Sequence, residues 1–343
     1  INEEQDEPLE QDELMEVKAH YAELQAFYEG NPDYFGIPTP YFTDKNTEAS
    51  PMGAIIDMAG LDSENLDIET LDELIIGMTQ GLKSYVQYYG DALLDVRDKA
   101  LSCLDNNMSD VEKCLVLHDY ISTQTTMDLN YSNDFIEGTS FGALVTRKCV
   151  CLGYSSAYTY LIQCAFPEIY KNEDGSWKTK DDVKETYIID YSKTIDKYSS
   201  HYFNVVKLDS HWYYVDVCFD DIISLQKQQV RLETDGNCHH FFFLNSYVTF
   251  ARNVGTHDKL DSAYKYQADS DKYEMAWFSN VNSPIYYNDD YWFYMEGQIN
   301  WKDHKNIEDY IDKGDQLKAR NRKTGEITVL VDFRSGNVQS LTE

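Results

Sequence analysis

The sequence predicts an α+β protein in which a helical half precedes a half made of antiparallel strands. Up to Pro167, apolar residues recur at the three- to four-residue spacing of amphipathic helices. After Pro167 the pattern changes to short segments rich in β-branched and aromatic residues, which are typical of strands. Because helices and strands follow each other as blocks instead of alternating, we expect separate helical and sheet layers.

The charge of the chain limits the partners that it can bind. Its 343 residues include 29 Lys and Arg against 60 Asp and Glu, which gives a formal net charge of −31 and a pI near 4.4. Such a surface repels phosphate backbones and anionic lipids, so we expect no nucleic-acid partner. No apolar run approaches the roughly 20 residues that span a bilayer, so we expect no membrane insertion.

We interpret residues 1–62 as an acidic N-terminal extension that is partly helical. A helical pattern runs over 16–28, and four prolines then interrupt the segment 31–53. The chain begins with Ile1 in an acidic stretch rather than with a signal peptide, and it contains 28 tyrosines. From these features we expect an extracellular or cell-surface bacterial protein whose leader has been removed.

Two helices are predicted before the first cysteine motif. Residues 70–73 (TLDE) have the form of a capping box and precede an amphipathic run to about Tyr89. Residues 109–112 (SDVE) repeat this pattern before a helix that extends to about Thr125. We expect His118, within this helix, to be a structural histidine with its hydrogen bonds satisfied.

Four later segments fit the strand pattern and complete a core domain that we place at 63–262. These segments lie at 186–191, 201–208, 211–219 and 240–245. We expect the acidic pair 220–221 to end the third strand and begin a loop. The remaining residues, 263–343, predict a C-terminal β-rich region of short hairpins with turns at 288–290 and 324–325.

The stretch KCVCLGY, from Lys148 onwards, holds two of the seven cysteines. Because seven is odd, at least one thiol stays unpaired within one chain. One interpretation is a metal site built from Cys149, Cys151 and the His239–His240 pair, although the spacing is too tight for the usual zinc knuckle. A second interpretation is that both cysteines are buried core thiols. A third is that one of them is a nucleophile.

The third interpretation favours Cys151, which stands where a helix is predicted to begin. Apolar and aromatic residues recur at helical spacing over 154–165, and a proline ends the run. Backbone N–H groups and the dipole at a helix N-terminus favour a thiolate and can stabilise a developing oxyanion. Arg147 and Lys148 add positive charge nearby, whereas Cys149 lies before the helix and lacks this setting.

A nucleophile needs a base, and the strands supply a base with a residue that can orient it. If the strands on either side of 209–210 pair as a hairpin, Asp216 lies opposite Phe203 and becomes the diagonal neighbour of His201. That places their backbones within roughly 7–8 Å, so an Asp–His hydrogen bond is possible. A turn of odd length would send Asp216 to the other face of the sheet. His211 lies near the turn and is expected to be exposed.

Three motifs follow one another along the chain: EKCLVLHDYI from Glu112, KCVCLGYSSAYTYLI from Lys148 and SHYFNVVKLDSHWYYVDVCFDD from Ser200. Together they resemble the bacterial transglutaminase-like superfamily. There a helix with Lys-x-x-x-x-His-Asp-Tyr precedes a Cys-x-Gly-Tyr motif, and His-Ala-Trp-Asn and Trp-Tyr-x-Val-Asp-x-Thr-Trp-Asp follow. The likeness runs from about Ser109 to Leu244. It departs from the family pattern at a few positions: Cys149, Tyr202, Phe203, Cys218 and Phe219.

The resemblance implies a papain-like fold, with helices packed on an antiparallel sheet, and a Cys–His–Asp triad. Carried over by position, Cys151 is the nucleophile, His201 the general base and Asp216 the residue that orients the base. No metal and no cofactor is implied. We therefore expect cysteine-dependent acyl transfer or hydrolysis on the amide bonds of a peptide or protein substrate, as a cysteine protease or amidase or as a transglutaminase.

Two points stay open at this stage. The backbone N–H of Cys151 would be one oxyanion donor, and Asn130, Tyr131 and Ser140 are candidates for the second. The alternative functions are a non-catalytic module that binds proteins or peptides with the same fold, and a structural module held by disulfides or a metal. An activated thiol would distinguish the enzyme from both alternatives.

Overall fold

The computed structural model describes residues 11–38, 68–128, 135–195, 200–221, 238–253, 267–296 and 316–333. The helices are α1 (Gln11–Glu29), α2 (Pro32–Phe35), α3 (Ile68–Ser102), α4 (Asp110–Gln124), α5 (Cys151–Ala165), α6 (Pro167–Tyr170), α7 (Lys180–Val183), α8 (Val217–Asp220) and α9 (Tyr247–Asn253). The strands are β1 (Thr126–Met127), β2 (Lys148–Cys149), β3 (Ile189–Ile195), β4 (Ser200–Leu208), β5 (His211–Val215), β6 (Phe243–Asn245), β7 (Tyr286–Tyr287), β8 (Tyr291–Glu296), β9 (Gln316–Asn321) and β10 (Ile327–Asp332).

The central helix of the fold is α5, and it is buried on almost every side. Its residues from Leu152 to Cys164 are mostly apolar or aromatic and lie in the core, which is typical of a helix enclosed by other elements. Helices α3 and α4 pack against it on one side, and strands β3 and β4 pack on the other. Helix α1 packs along α3.

The main sheet contains β3, β4, β5 and β6 in that order, and every pair in it is antiparallel. The β4–β5 hairpin turns at Asp209 and Ser210, whose φ angles of 51° and 69° fit the two-residue turn that matches the strand twist. Asn204 lies opposite Val215, and this is the register predicted from the sequence. The mixture of helices and antiparallel sheets is compatible with the α+β prediction.

Several predicted boundaries were wrong. The third predicted strand ends at Val215 rather than 219, because Asp216 caps the helical turn α8. The acidic pair 220–221 is therefore buried beside that turn, and the loop predicted to follow it lies outside the described residues. Strand β3 begins three residues later than predicted and extends to Ile195, and β6 is limited to three residues.

The predicted helices differ from the observed ones mainly in length. Helix α4 begins as expected, with Ser109 and Glu112 forming the capping box. The segment 70–73 is not the start of its helix, because α3 is already helical from Ile68. Helix α3 also continues beyond Tyr89 to Ser102, and α1 extends the predicted N-terminal helix back to Gln11.

A second antiparallel sheet lies near the C-terminus, with the order β7–β8–β9–β10. Trp292 and Tyr294 point into the core from β8, and their rings contact Trp277. The predicted turns at 288–290 and 324–325 each separate two of its strands. No helix among the described residues is long and apolar enough to cross a membrane.

Candidate active site

Cys151 is the first residue of α5. Val150, the residue before it, has an extended backbone, so helical geometry begins at Cys151 itself. The N–H groups of the first turn, which have no partner within the helix, therefore lie at the same end of the helix as the thiol. A Cβ atom at Gly153 would lie 2.3 Å from the carbonyl oxygen of Glu137 and 2.5 Å from Cβ of Cys149. Only glycine fits there, which explains the Cys-x-Gly spacing. Cys151 is half-buried, whereas Cys149 is fully buried.

Strand β4 carries His201, and Asp216 follows the end of the neighbouring strand β5. The Nε2 atom of His201 lies 2.6 Å from Oδ2 of Asp216. The other carboxylate oxygen, Oδ1, accepts a hydrogen bond of 3.0 Å from the backbone N–H of Phe219. The side chain of Asp216 is fully buried and that of His201 is 14% exposed. The carboxylate is thus fixed by two donors, one of which is the imidazole ring.

The side chain of Cys151 is one of the groups that raise the pKa of His201, so the thiol and the imidazole ring lie close together. Because Nε2 is engaged by Asp216, Nδ1 is the ring nitrogen left for the thiol. The structure therefore brings together the three residues that the sequence analysis selected as site candidates. It does so in the order thiol, imidazole and carboxylate, which is the arrangement needed to activate a nucleophile.

The electrostatic setting favours a charged imidazole. Burial alone lowers the pKa of His201, but the Asp216 charge and the hydrogen bonds with Asp216 and Cys151 outweigh it and raise the pKa to about 10. A ring that keeps its proton at neutral pH can stabilise a thiolate as an ion pair and can later donate that proton.

Two neighbouring side chains hold this geometry, and neither was given a role from the sequence. The ring of Phe219 stacks on His201 with centroids 4.1 Å apart and planes inclined by 12°. Asn204 on β4 donates from Nδ2 to Oγ1 of Thr159 (2.9 Å) and to the carbonyl oxygen of Ser155 (3.2 Å), both on α5. The strand with His201 is thereby tied to the helix with Cys151. The only sequence signal was their place within the resembled motifs.

Lys148 does not supply the free positive charge that the sequence analysis expected. Its Nζ atom lies 3.1 Å from carboxylate oxygens of both Asp128 and Glu137. These two carboxylates therefore compensate the charge of Lys148, so that it does not act as a free positive charge on the Cys151 thiol. The helix N-terminus and His201 are features of the site that favour a thiolate.

The candidates for a second oxyanion donor gain little support. The hydroxyl of Ser140 donates to the carbonyl oxygen of Tyr34 at 3.4 Å. Asn130 and Tyr131 lie outside the described residues. Among the described backbone hydrogen bonds, none uses the N–H of Cys151, so this group is available to an oxyanion.

The other cysteines and histidines have different settings. Burial raises the pKa of the Cys149 thiol well above its ordinary range. His211 is exposed, as predicted, and its Nδ1 lies 3.4 Å from Asp269. Burial lowers the pKa of His239 to about 3. Among the described residues, the group with ligand atoms close enough for one metal ion comprises His118, Asp119 and His240, and it includes neither cysteine of the metal site considered earlier.

A comparison with solved structures gives a weak likeness. A solved structure described as "Crystal structure of a TGase" aligns at 13% sequence identity with a TM-score of 0.27. The alignment covers 51% of this chain and 38% of that one, so this chain spans well under half of that protein. No family model and no curated protein matches the sequence. A likeness at this TM-score is too weak to support a shared fold or activity.

Proposed function

We propose that the protein is a cysteine-dependent enzyme that transfers or hydrolyses the acyl group of peptide or protein amides. In this proposal Cys151 is the nucleophile, His201 the acid–base residue and Asp216 the residue that orients and charges the imidazole. The observation that supports it most is the 2.6 Å contact between Nε2 of His201 and Asp216. That contact leaves Nδ1 for a thiol at a helix N-terminus.

The reaction follows from this geometry. The Cys151 thiolate attacks the amide carbonyl carbon, and the N–H at the start of α5 stabilises the resulting oxyanion. Nδ1–H of His201 then protonates the departing amine, the carbon–nitrogen bond breaks and a thioester forms. Water or a second amine attacks the thioester, and His201 takes its proton. Cys151 is released as a thiolate beside the protonated imidazole, and the cycle closes.

Asp216 serves this cycle by fixing the ring and its protonation. A buried carboxylate at Nε2 keeps a proton on that nitrogen and stabilises the imidazolium. His201 can therefore exchange its other proton, at Nδ1, with the thiol and the leaving group. The stacked ring of Phe219 restricts rotation of the imidazole out of this plane.

The proposed fold is a papain-like core within the predicted domain 63–262. Its support is the order of the elements: a buried helix begins with the thiol, and an antiparallel hairpin beside it holds the imidazole and carboxylate. Hydrolysis by a protease or amidase and amine transfer by a transglutaminase both fit this site. The chemistry of the two differs only in the acceptor of the thioester.

The test is a product analysis with matched cysteine variants. The protein is incubated with a tryptic peptide mixture and a labelled primary amine, and the products are identified by mass spectrometry. New peptide termini would indicate a protease, whereas amine incorporation or glutamine deamidation would indicate an acyltransferase or amidase. Every product should disappear in Cys151→Ser and persist in Cys103→Ser, because Cys103 is a partly exposed thiol outside the site.

Products that persist in Cys151→Ser would refute the proposal. No products from the wild-type protein, together with an unreactive Cys151, would favour the alternative of a non-catalytic module that binds proteins or peptides. The reactivity of the thiol therefore needs to be measured alongside the products.

A further inference from the structure

Four titratable side chains form a second buried cluster beside the candidate site. They are His118 and Asp119 on α4, Asp220 at the end of α8 and His240 before β6. All four residues are buried: Asp119 is 7% exposed, and the other three are at most 1% exposed. Ionisable groups removed from water are costly unless they are paired and hydrogen-bonded.

The cluster is one continuous hydrogen-bond chain. His118 contacts Oδ1 of Asp119 through Nδ1 at 3.0 Å and Oδ2 of Asp220 through Nε2 at 3.1 Å. His240 contacts the same Oδ1 of Asp119 through Nε2 at 2.7 Å. Burial alone lowers the pKa of His118, but its hydrogen bonds with Asp119 and Asp220 and their charges raise it to about 9.

These distances are those of direct hydrogen bonds rather than of ligands around a metal ion. Nitrogen and oxygen ligands of a tetrahedral zinc ion, bound at about 2.0–2.1 Å, stand about 3.3 Å apart. Asp119 instead lies 3.0 and 2.7 Å from its two histidine partners. We therefore interpret the cluster as a proton-bridged network.

One end of the network reaches Asp216 through the single turn of α8. The N–H of Asp220 donates to the carbonyl oxygen of Asp216 at 3.1 Å. Both aspartates also form hydrogen bonds with the backbone of Phe242. The N–H of Phe242 donates to the Asp220 carboxylate at 3.0 Å. The carbonyl oxygen of Phe242 accepts from the N–H of Asp216 at 3.0 Å. Asp216, whose carboxylate faces His201, thus lies at the start of a helical turn. His118 contacts Asp220 at the other end of the same turn.

The other end of the network reaches the segment before the C-terminal sheet. Oδ2 of Asp119 accepts a hydrogen bond of 2.8 Å from the N–H of Ile285. Nδ1 of His240 donates to the carbonyl oxygen of Val281 at 3.1 Å. Strand β7 begins at Tyr286, directly after this segment. The network therefore connects the C-terminal region to the turn that carries Asp216.

We propose that His118 and Asp220 are positioning residues for Asp216, and that the 281–285 segment completes their network through Asp119 and His240. This inference rests on the proposed function, because positioning matters only if Asp216 orients His201. It gives the C-terminal region a role in assembling the candidate active site: loss of its contacts would loosen α8 and move the Asp216 carboxylate away from the imidazole.

The test compares two substitutions of His118 by the rate of iodoacetamide alkylation at Cys151 as a function of pH. His118→Leu removes the donor to Asp220, whereas His118→Gln can offer its side-chain amide N–H to the same oxygen. We expect His118→Leu to slow alkylation of Cys151 at pH 6 about tenfold. This is the effect of raising the apparent pKa at which the thiolate–imidazolium pair forms by about one unit. His118→Gln should restore most of the rate.

A control separates positioning from a general loss of stability. Tyr170→Phe removes a partly buried hydrogen bond, from the N–H of Ile188 to the Tyr170 hydroxyl, outside the network. It should lower the melting temperature and leave the alkylation profile of Cys151 unchanged. If His118→Leu does not fold, Asp220→Glu, which keeps the charge but displaces it by one methylene, serves in its place and should give the same shift.

Two results would overturn the inference, and they can be distinguished. If wild-type Cys151 is activated but His118→Leu and Asp220→Glu match the Tyr170→Phe profile, the network does not position Asp216 and the proposed function survives. If wild-type Cys151 reacts no faster than Cys103, the proposed function fails, and this inference fails with it.

Discussion

The contact between Asp216 and His201 gives the sharpest prediction, for the substitution Asp216→Asn. The pKa of His201 lies at about 10 against an ordinary value of 6.5. A difference of that size corresponds to roughly 5 kcal/mol of preference for the charged ring, most of it from the carboxylate 2.6 Å away. Asparagine keeps the size of the side chain and can still accept from the N–H of Phe219, so the fold should be retained.

In Asp216→Asn the charge is lost while burial continues to lower the pKa of His201. Cys151 remains as a group that raises the pKa of His201, so we expect the ring to titrate below pH 8 instead of near 10. The new amide N–H would also face Nε2 and force the neutral proton onto Nδ1, the nitrogen that should accept from the thiol. Alkylation of Cys151 at pH 6 should fall by at least about a hundredfold, which corresponds to two pKa units.

The assay is NMR of the histidine ring nitrogens across pH 5–11, with the His201 signals assigned by their loss in His201→Gln. Asp269→Asn is the matched control, because Asp269 also contacts a histidine but lies on the surface. This control should leave His201 unchanged. If the ring of His201 still titrates above pH 8 in Asp216→Asn, the carboxylate does not charge it and the reasoning is refuted.

Three further predictions concern stability. Gly153→Ala should destabilise the protein by about 1–3 kcal/mol, because the new Cβ would overlap a backbone carbonyl. Gly77→Ala places its Cβ in open space and should stabilise α3 by roughly 0.5–1 kcal/mol. Urea unfolding measures both changes. Ser210→Gly should stabilise the β4–β5 hairpin, because φ is 69° there, and a lower urea midpoint than wild type would contradict this. His118 and His201 have pKa values raised to about 9 and 10, so they bind more protons folded than unfolded. The stability that they contribute is complete below pH 6.5 and declines as the pH rises through 9 and 10. The free energy of unfolding should fall by up to about 1.4 kcal/mol per pH unit for each histidine. A urea midpoint that stays constant over pH 6.5–10 would contradict this.

The part of the site that could be predicted from the sequence depends on local geometry. A two-residue turn at Asp209 and Ser210 leaves one register for the hairpin, and that register puts Asp216 near His201. Cys151 was predicted at a helix start from the apolar spacing that follows it. Asp216 itself was predicted within a strand, yet it caps α8, because its carboxylate satisfies the N–H of Phe219.

The buried network could not be predicted because it joins residues that are far apart along the chain. His118 and Asp220 are 102 positions apart, and Asp119 and His240 are 121 apart. Local pattern indicated only that His118 would be structural and that 220–221 would end a strand. Tertiary packing places the two segments together and makes the acidic pair part of the core.

The central claim is that Cys151 is an activated thiol, and its pH-dependent alkylation by iodoacetamide, mapped by mass spectrometry, tests this most directly. Cys103 is the internal reference, because both thiols are partly exposed and burial raises the pKa of Cys103 above its ordinary value. We predict that Cys151 reacts faster than Cys103 below pH 7 and that His201→Ala abolishes the difference. Equal rates for the two thiols in the wild-type protein would contradict the proposed enzyme.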